Sequence, residues 1–245
     1  MSKLKAQFMP NSVPKKASSS PMIALEKVHL SMPSKAGEVN ILNDVSLSID
    51  AGETVAMLGP SGAGKTTAMM VMAGLEAITK GKINVAGYDL MQMDEDSLAE
   101  MRRAHIGIIF QAFRLIPSMT ALENVAIPLE LDGGSDAFAR AEEALKNVGL
   151  GHRLDHFPDQ LSGGEQQRVA IARAIVTGPD ILLADEPTGN LDQATGAEIM
   201  DVLMSTAKTY NTSLVLITHD EKLATMCSRV VRIADGSVAA DSKSK

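Results

Sequence analysis

Tryptophan is absent from the 245 residues, and aromatic residues together make up only 3% of the chain. Any core must therefore be aliphatic, and 45% hydrophobic content with 15 methionines supplies one. At this length that core is sizeable, in one large or two small domains. A lone cysteine, Cys227, excludes an internal disulfide and fits a reducing compartment, with packing as its role. No apolar run reaches the roughly 18 residues that a membrane-spanning helix needs. An excess of basic charge is also missing, since 23 Lys and Arg face 30 Asp and Glu. Lys3, Lys5, Lys15 and Lys16 stand in residues 1–21 without a single acid, so the body of the chain is more acidic still. An acidic body excludes sequence-independent nucleic-acid binding as the main task. Residues 1–21 are rich in Ser, Pro and Lys and lack the apolar stretch of a secretory signal. They read as a disordered basic tail, whose four scattered lysines give only weak attraction to anionic lipid.

What the chain does have begins at Gly59-Pro60-Ser61-Gly62-Ala63-Gly64-Lys65-Thr66, which fits the phosphate-loop pattern G-x-x-x-x-G-K-S/T. The apolar run Thr54–Leu58 leads into it and a helical stretch, Thr67–Ala73, leaves it. A chance Lys-Thr in a glycine-rich surface loop would not bring this strand–loop–helix context with it. Glycines let successive N–H groups turn toward phosphate oxygens, and the helix adds its positive end. Lys65 would reach the β- and γ-phosphates, and the Thr66 hydroxyl would ligate Mg²⁺.

A second cluster is Leu161-Ser162-Gly163-Gly164-Glu165-Gln166-Gln167-Arg168, opening a helix that runs to about Val176. Ser162 with two following glycines offers a hydroxyl and bare N–H groups to an anion, although an ordinary helix cap has the same ingredients. Position separates the two readings. Just downstream the apolar strand Ile181–Ala184 ends in Asp185 and Glu186, and strand ends in open α/β sheets are where ligands bind. Asp185 suits holding Mg²⁺ through its water shell, and Glu186 suits polarising an attacking water. His219 follows the next apolar run, Ser213–Thr218, at the corresponding strand end.

Periodicity supplies the organisation. Ile23–Leu30 and Ile41–Ile49 read as strands, the second alternating through Val45, Leu47 and Ile49. Lys82–Val85 with Gly87 closes this β-rich part. From about Asp94 to Arg173 the pattern is mostly helical, interrupted by Ile106–Phe110. Within it Ser135 is placed to cap a helix with Ala137, Ala141, Ala144, Leu145 and Val148 on one face, stopped by Gly149. A helix bearing Ile199, Val202, Leu203 and Thr206 then leads to Ser213–Thr218. Val230–Ala234 and Ser237–Ala240 form a closing hairpin around Asp235-Gly236, leaving residues 241–245 as a short tail.

Together these motifs resemble the ATP-binding cassette (ABC) ATPase family. Its Walker A is matched at Gly59–Thr66, its signature at Leu161–Glu165, and its Walker B with catalytic glutamate at Ile181–Glu186. The D-loop is matched at Asn190-Leu191-Asp192, the switch histidine at His219 and the Q-loop glutamine at Gln111. The resemblance covers about Met22–Ala240, and the motifs come in the family's order. It implies an α/β fold: a P-loop NTPase core with a mainly parallel, RecA-like sheet, an antiparallel β-subdomain and an inserted α-helical subdomain over about 94–173. It implies one cassette over 22–240, with ATP and Mg²⁺ as cofactors. Gly59 to Thr67 would bind ATP; Thr66, Gln111 and Asp185 would serve the metal; Glu186, His219 and Gln111 would serve catalysis. Ser162, Gly163 and Gly164 of one copy would complete the ATP site of another, head to tail, and Asp192 would contact the opposing phosphate loop. One departure stands out. The adenine-stacking aromatic falls at or beside Met32, and no aromatic lies between Ile23 and Gly52.

Three coupled systems use such cassettes. DNA-repair and chromosome ATPases split theirs with long coiled coils, and no sustained heptads lie between Lys65 and Ser162. Translation-type factors carry two cassettes, and one is present here. The remaining class is a transporter motor whose integral-membrane permease is a separate chain, with the cassette peripheral on the cytoplasmic face and no nucleic-acid partner. The string Ala184-Asp185-Glu186-Pro187-Thr188-Gly189-Asn190-Leu191-Asp192 and the segment Arg114–Val125 resemble the lipoprotein-releasing, macrolide-exporter and cell-division (FtsE-type) group, as does Met93-Asp94-Glu95, which resembles YbbA-type export ATPases most closely. That resemblance implies export or extraction of envelope substrates such as lipoproteins or drugs. An FtsE-like cell-division or envelope-signalling ATPase is the alternative, and the neighbouring permease gene separates the two.

Overall fold

The computed structural model describes residues 20–34 and 37–243. The tail expected over residues 1–21 lies outside these residues up to position 19. The chain forms two sheets. The first is antiparallel, with strands in the order β2-β1-β4-β5: β1 (Ile23–Ser34), β2 (Gly37–Ile49), β4 (Lys80–Val85) and β5 (Tyr88–Asp89). From Leu42 onward β2 buries Leu42, Val45, Leu47 and Ile49 and leaves Asp44, Ser46 and Ser48 exposed. That alternation is the pattern of a sheet with one wet face.

The second sheet runs β10-β9-β3-β8-β7-β6, from β10 (Ser237–Lys243) through β9 (Arg229–Ala234), β3 (Thr54–Leu58), β8 (Ser213–Thr218) and β7 (Ile181–Asp185) to β6 (Ile106–Ile109). All its pairings are parallel except β9 with β10. Every residue of β8 is buried, as expected of a strand covered on both faces. Successive side chains therefore feed different cores. Val55, Met57, Val215 and Ile217 join one cluster with the antiparallel sheet and helix α1 (Lys65–Met72). Ala56, Leu58, Leu214 and Leu216 join the other, beneath α3 (Ala121–Leu131), α4 (Ala137–Asn147), α5 (Gly163–Ile175) and α6 (Gln193–Tyr210). Helices α2 (Glu95–His105) and α7 (Glu221–Ala224) complete the set.

The expected elements are present, with shifted ends. The β1–β2 hairpin pairs as far as Ser34↔Gly37, well past Leu30 and Ile41. β10 continues to Lys243, three residues into the expected tail, because Asp241 meets Arg229 across the hairpin at 2.6 Å. Ser135 does not cap α4. Asp136 occupies that position without a side-chain bond, one residue nearer the helix. Gly149, at φ 82°, ends the segment as expected.

Candidate nucleotide site

β3 ends at Leu58 and α1 begins at Lys65, so Gly59–Gly64 form the loop between them. Two glycines are required by what surrounds them. A Cβ on Gly59 would lie 2.2 Å from the Ile233 carbonyl, and one on Gly64, at φ 94°, would lie 2.8 Å from the Ile41 carbonyl. The first turn of α1 carries no acidic side chain, so its N–H groups and dipole are left for an external anion. Lys65 is almost fully buried, and its Nζ donates to the carbonyls of Gly59 at 2.9 Å and Pro60 at 2.8 Å. Its ammonium thus lies folded into the loop against neutral acceptors.

The Thr66 hydroxyl donates to the Asp185 carboxylate, 3.1 and 3.2 Å from its two oxygens. Residues 119 positions apart therefore meet where β7 ends beside α1. Burial pushes the Asp185 carboxyl above the ordinary carboxylate range; the Thr66 hydrogen bond opposes that shift, and the neighbouring Glu186 charge adds to it. Lys65 and Arg114 oppose it from further away. Glu186 follows with φ 44°, a left-handed conformation rare for a side chain of this kind. Its N–H donates to the Ile217 carbonyl of β8 at 3.0 Å, and its carboxylate lies 3.1 Å from Nδ1 of His219. The ends of β3, β7 and β8 thus bring Lys65, Thr66, Asp185, Glu186 and His219 to one edge of the sheet.

Gln111, just beyond β6, joins this edge through Asn190. The Asn190 Nδ2 donates to the Gln111 carbonyl at 2.9 Å, and the Gln111 amide donates back to Asn190 Oδ1 at 3.4 Å. A Cβ on Gly189 would fall 2.7 Å from the Gln111 Nε2, so the backbone after β7 passes directly against that amide.

The signature turn lies elsewhere. Ser162 caps α5, its hydroxyl accepting the Glu165 N–H at 3.3 Å while the Glu165 carboxylate accepts the Ser162 N–H at 2.8 Å. Arg153 donates to the same carboxylate at 2.8 Å. The Ser162 N–H is the main cause that holds the Glu165 carboxyl below the ordinary range. A Cβ on Gly163 would approach the Leu191 and Phe113 side chains, and one on Gly164 would strike the Thr195 methyl at 2.5 Å. Among the described residues, no hydrogen bond joins this turn to the phosphate loop. Asp192 caps α6, accepting from the N–H groups of Ala194 and Thr195, both at 3.1 Å, and from the Thr195 hydroxyl at 2.6 Å.

Met32 pairs with Val39 beyond the Leu30↔Leu42 pairing, half-buried against the first core. Leu42 is also a close neighbour of Gly64, so this end of the hairpin flanks the phosphate loop. Burial pushes the Cys227 thiol up to about 12, consistent with packing rather than reactivity.

Two residues that hold the site were not visible in the motifs. Fully buried Asn124 of α3 accepts from the Ile116 N–H at 2.8 Å and donates to the carbonyls of Ile116, Met119 and Thr120, pinning the segment after Gln111 to the helical side. Arg173 of α5 donates to the carbonyls of Arg114 at 2.7 Å and Phe113 at 2.9 Å. A buried Asn early in an apolar helix was the one available signal; nothing in the sequence marked Arg173.

The family profile described as ABC transporter matches residues 42–189 of the chain. The uncharacterized ABC transporter ATP-binding protein YbbA of Escherichia coli K12 is 48% identical over 203 residues, covering 82% of this chain and 89% of YbbA. The lipoprotein-releasing system ATP-binding protein LolD of Geobacter metallireducens is 47% identical over 221 residues, covering 89% of this chain and 98% of LolD. Among solved structures, the dimeric post-hydrolysis state of the ATP-binding cassette MJ0796 bound to ADP and Pi superposes with a TM-score of 0.85 at 38% identity, over 91% of this chain and 99% of that one. A phosphate loop, adjacent carboxylates at the end of β7 and a separate signature turn are thus found together in a chain that matches such cassettes over most of its length. The chain belongs to the ABC transporter family, as an ATP-binding subunit with ATPase activity.

Proposed function

We propose that the chain binds ATP with Mg²⁺ between Gly59–Thr67 and the carboxylates at the end of β7, and hydrolyses it as one of two copies related by a two-fold axis. Each copy lends Ser162, Gly163 and Gly164 to the nucleotide held by the other, head to tail, with Asp192 near the opposing phosphate loop. One observation carries this reading: within a single chain the hydrolytic groups converge at one sheet edge, while the signature turn packs on Phe113, Leu191 and Thr195. The Ser162 hydroxyl accepts in its own cap, which leaves its proton for a phosphate oxygen of another copy. The dimeric form of the MJ0796 cassette supports a working pair of copies.

The chemistry follows from the donor set. Lys65 would exchange two neutral carbonyls for charged phosphate oxygens, a stronger partner for an ammonium. Thr66, Gln111 and Asp185 offer hard oxygen donors, and no cluster of three or more His, Cys, Asp or Glu suited to a metal occurs among the described residues. That sparse set fits Mg²⁺, which keeps several waters and relies on substrate phosphates with one or two carboxylates. When bound, the ion neutralises charge developing on the phosphate oxygens. Water attacks the γ-phosphorus, the bond to the β-phosphate oxygen breaks and ADP leaves. Glu186 orients that water and takes its proton, while His219, paired with Glu186, holds the carboxylate and the γ-phosphate in place.

Loss of the γ-phosphate would release the opposing signature turn and open the pair. The motion drives a separate integral-membrane permease, with the chain peripheral on its cytoplasmic face. Among the described residues no helix is long and apolar enough to cross a membrane. Similarity to the lipoprotein-releasing ATP-binding protein favours export or extraction of envelope substrates, lipoproteins or drugs among them.

Glu186→Gln should bind ATP yet turn it over about 10²–10⁴-fold more slowly, and accumulate as an ATP-dependent dimer. Ser162→Arg should bind ATP as a monomer and fail to pair. Sedimentation with and without saturating ATP reads both. A Glu186→Gln chain that stays monomeric would sink the two-fold mechanism, and equal loss of monomer binding in Ser162→Arg would remove Ser162 from the opposing site.

A further inference from the structure

The segment leaving Gln111 is held in an unusual way. Gln111 and Ala112 form the middle of a turn closed by the Phe113 N–H on the Phe110 carbonyl at 3.2 Å. The next two residues, Phe113 and Arg114, are both left-handed, at φ 54° and 51°, although neither is glycine. Such a pair persists only where its surroundings over-determine it. Arg173 supplies that constraint from α5, one guanidinium nitrogen on each carbonyl of the strained pair. Its planar fork gives each of the two carbonyls a donor nitrogen of its own, at a spacing fixed by the guanidinium. Burial draws the Arg173 guanidinium below its ordinary range, and no ion pair to it is found among the described residues, so these carbonyls are its anchorage. The same segment is fastened elsewhere: Arg114 lies over the Phe110 ring at 4.1 Å, and the Phe113 ring faces Gly163 at the start of α5.

We propose that Arg173 is a positioning residue for Gln111: it clamps Phe113 and Arg114 in a strained left-handed pair and thereby fixes the Gln111 amide against Asn190 at the catalytic edge. The inference rests on the reading that Gln111 serves the metal and the attacking water. Because the clamp grows from the helix that begins at Ser162, movement of the signature turn and placement of Gln111 are mechanically one event. Loss of the clamp lets the pair relax, and Gln111 leaves its register with Asn190.

The test uses the full-length chain. Arg173→Lys keeps the charge and replaces two separately placed donor nitrogens by a single one on a shorter head group. Turnover at saturating ATP should fall about 10- to 100-fold, the scale of a small misplacement of a reacting group, while ATP affinity in the monomer stays close to native. Amide exchange should rise in residues 111–116 and not in α1. The discriminating variant is Arg114→Gly, since glycine adopts the left-handed conformation without a clamp. In that background, referred to its own turnover, Arg173→Lys should cost clearly less than in the native chain. An equal fold-loss in both backgrounds would overturn the proposal. If Arg173→Lys does not fold, Arg114→Gly and Arg114→Ala decide on their own. The glycine variant must melt higher than the alanine variant, and the reverse order would remove the strain on which the proposal stands. Gln111→Ala, run alongside, keeps the two levels apart. If it leaves turnover unchanged, the assignment of Gln111 falls. If it slows turnover and Arg173→Lys does not, the clamp alone falls.

Discussion

Asp185 at the end of β7 and Glu165 in the first turn of α5 are acidic side chains on the two halves of the candidate site, yet their surroundings push them in opposite directions. Glu165 is complete within its own chain, taking the Ser162 N–H and the Arg153 guanidinium. Asp185 is partly buried beside another carboxylate, with one hydroxyl to bond and more distant cations to offset the charge. The contrast separates two uses of a carboxylate. One completes a helix cap and shapes a turn; the other is held at a cost that a cation would relieve. Lys65 makes the same point with the opposite sign, a buried ammonium resting on neutral carbonyls. The phosphate-loop half is therefore built for charged ligands that it does not itself supply, and the signature half is built as a finished surface.

Removing each carboxylate should break this comparison in opposite senses. Glu165→Ala gives up charge-assisted bonds to Ser162 and Arg153, and should lower stability by about 1.5–3 kcal/mol. The sign of its pH dependence follows. A carboxyl held below its unfolded value contributes stability above that value, lost as pH falls through the folded one. The penalty for Glu165→Ala, read by denaturant melts, should therefore shrink on acidification below the ordinary carboxylate range. A stabilised Glu165→Ala chain at neutral pH would contradict the cap.

Asp185→Asn should do the reverse in the nucleotide-free chain, raising stability by about 0.5–2 kcal/mol while abolishing Mg²⁺-dependent turnover. For a carboxyl raised above its unfolded value, the relative stability is present below that value and is lost as pH rises through the folded one. The advantage of Asp185→Asn should thus be greatest at neutral pH and fade on acidification. Thermal melts without nucleotide across this range check it; a destabilised variant at neutral pH would mean that the Thr66 bond outweighs burial.

The legible parts of the molecule were those where one physical signal dominates. β7 and β8 were readable because strands buried on both faces are apolar throughout, and the phosphate loop because Gly59 and Gly64 stand where neighbouring carbonyls leave no room for a Cβ. The far end of the β1–β2 hairpin was not, since Ser31, Pro33, Glu38 and Asn40 lack the alternation that marks a half-buried strand. Ser135 looked like a cap by type, but backbone placement gave the position to Asp136. Site residues that act through their own chemistry carry motifs. Those that act by holding backbone, such as Asn124 and Arg173, do so through contacts between distant segments, which no local pattern records. Gln167, beside the signature, is a different case: it is fully buried, and neither its amide nitrogen nor its amide oxygen has a hydrogen-bond partner among the described residues.

The smallest expected effect concerns the base rather than the phosphates, and it sharpens how far the phosphate-loop half extends. Met32 is half-buried in the hairpin whose Leu42 neighbours Gly64, and the adenine-stacking position is expected at or beside it. A thioether packs on a base with less selectivity than a ring face does. Met32→Tyr should therefore tighten ATP binding by about 0.5–1.5 kcal/mol, the scale of an aromatic pair. It should also widen the preference for ATP over GTP, because a fitted platform magnifies differences at the base edge. Turnover at saturation should change little, since on the proposed reading Glu186 and His219 serve the γ-phosphate, remote from the base. Titration of both proteins with both nucleotides reads the outcome. Identical affinities throughout would mean that Met32 does not face the base and that recognition in this chain ends at the phosphates.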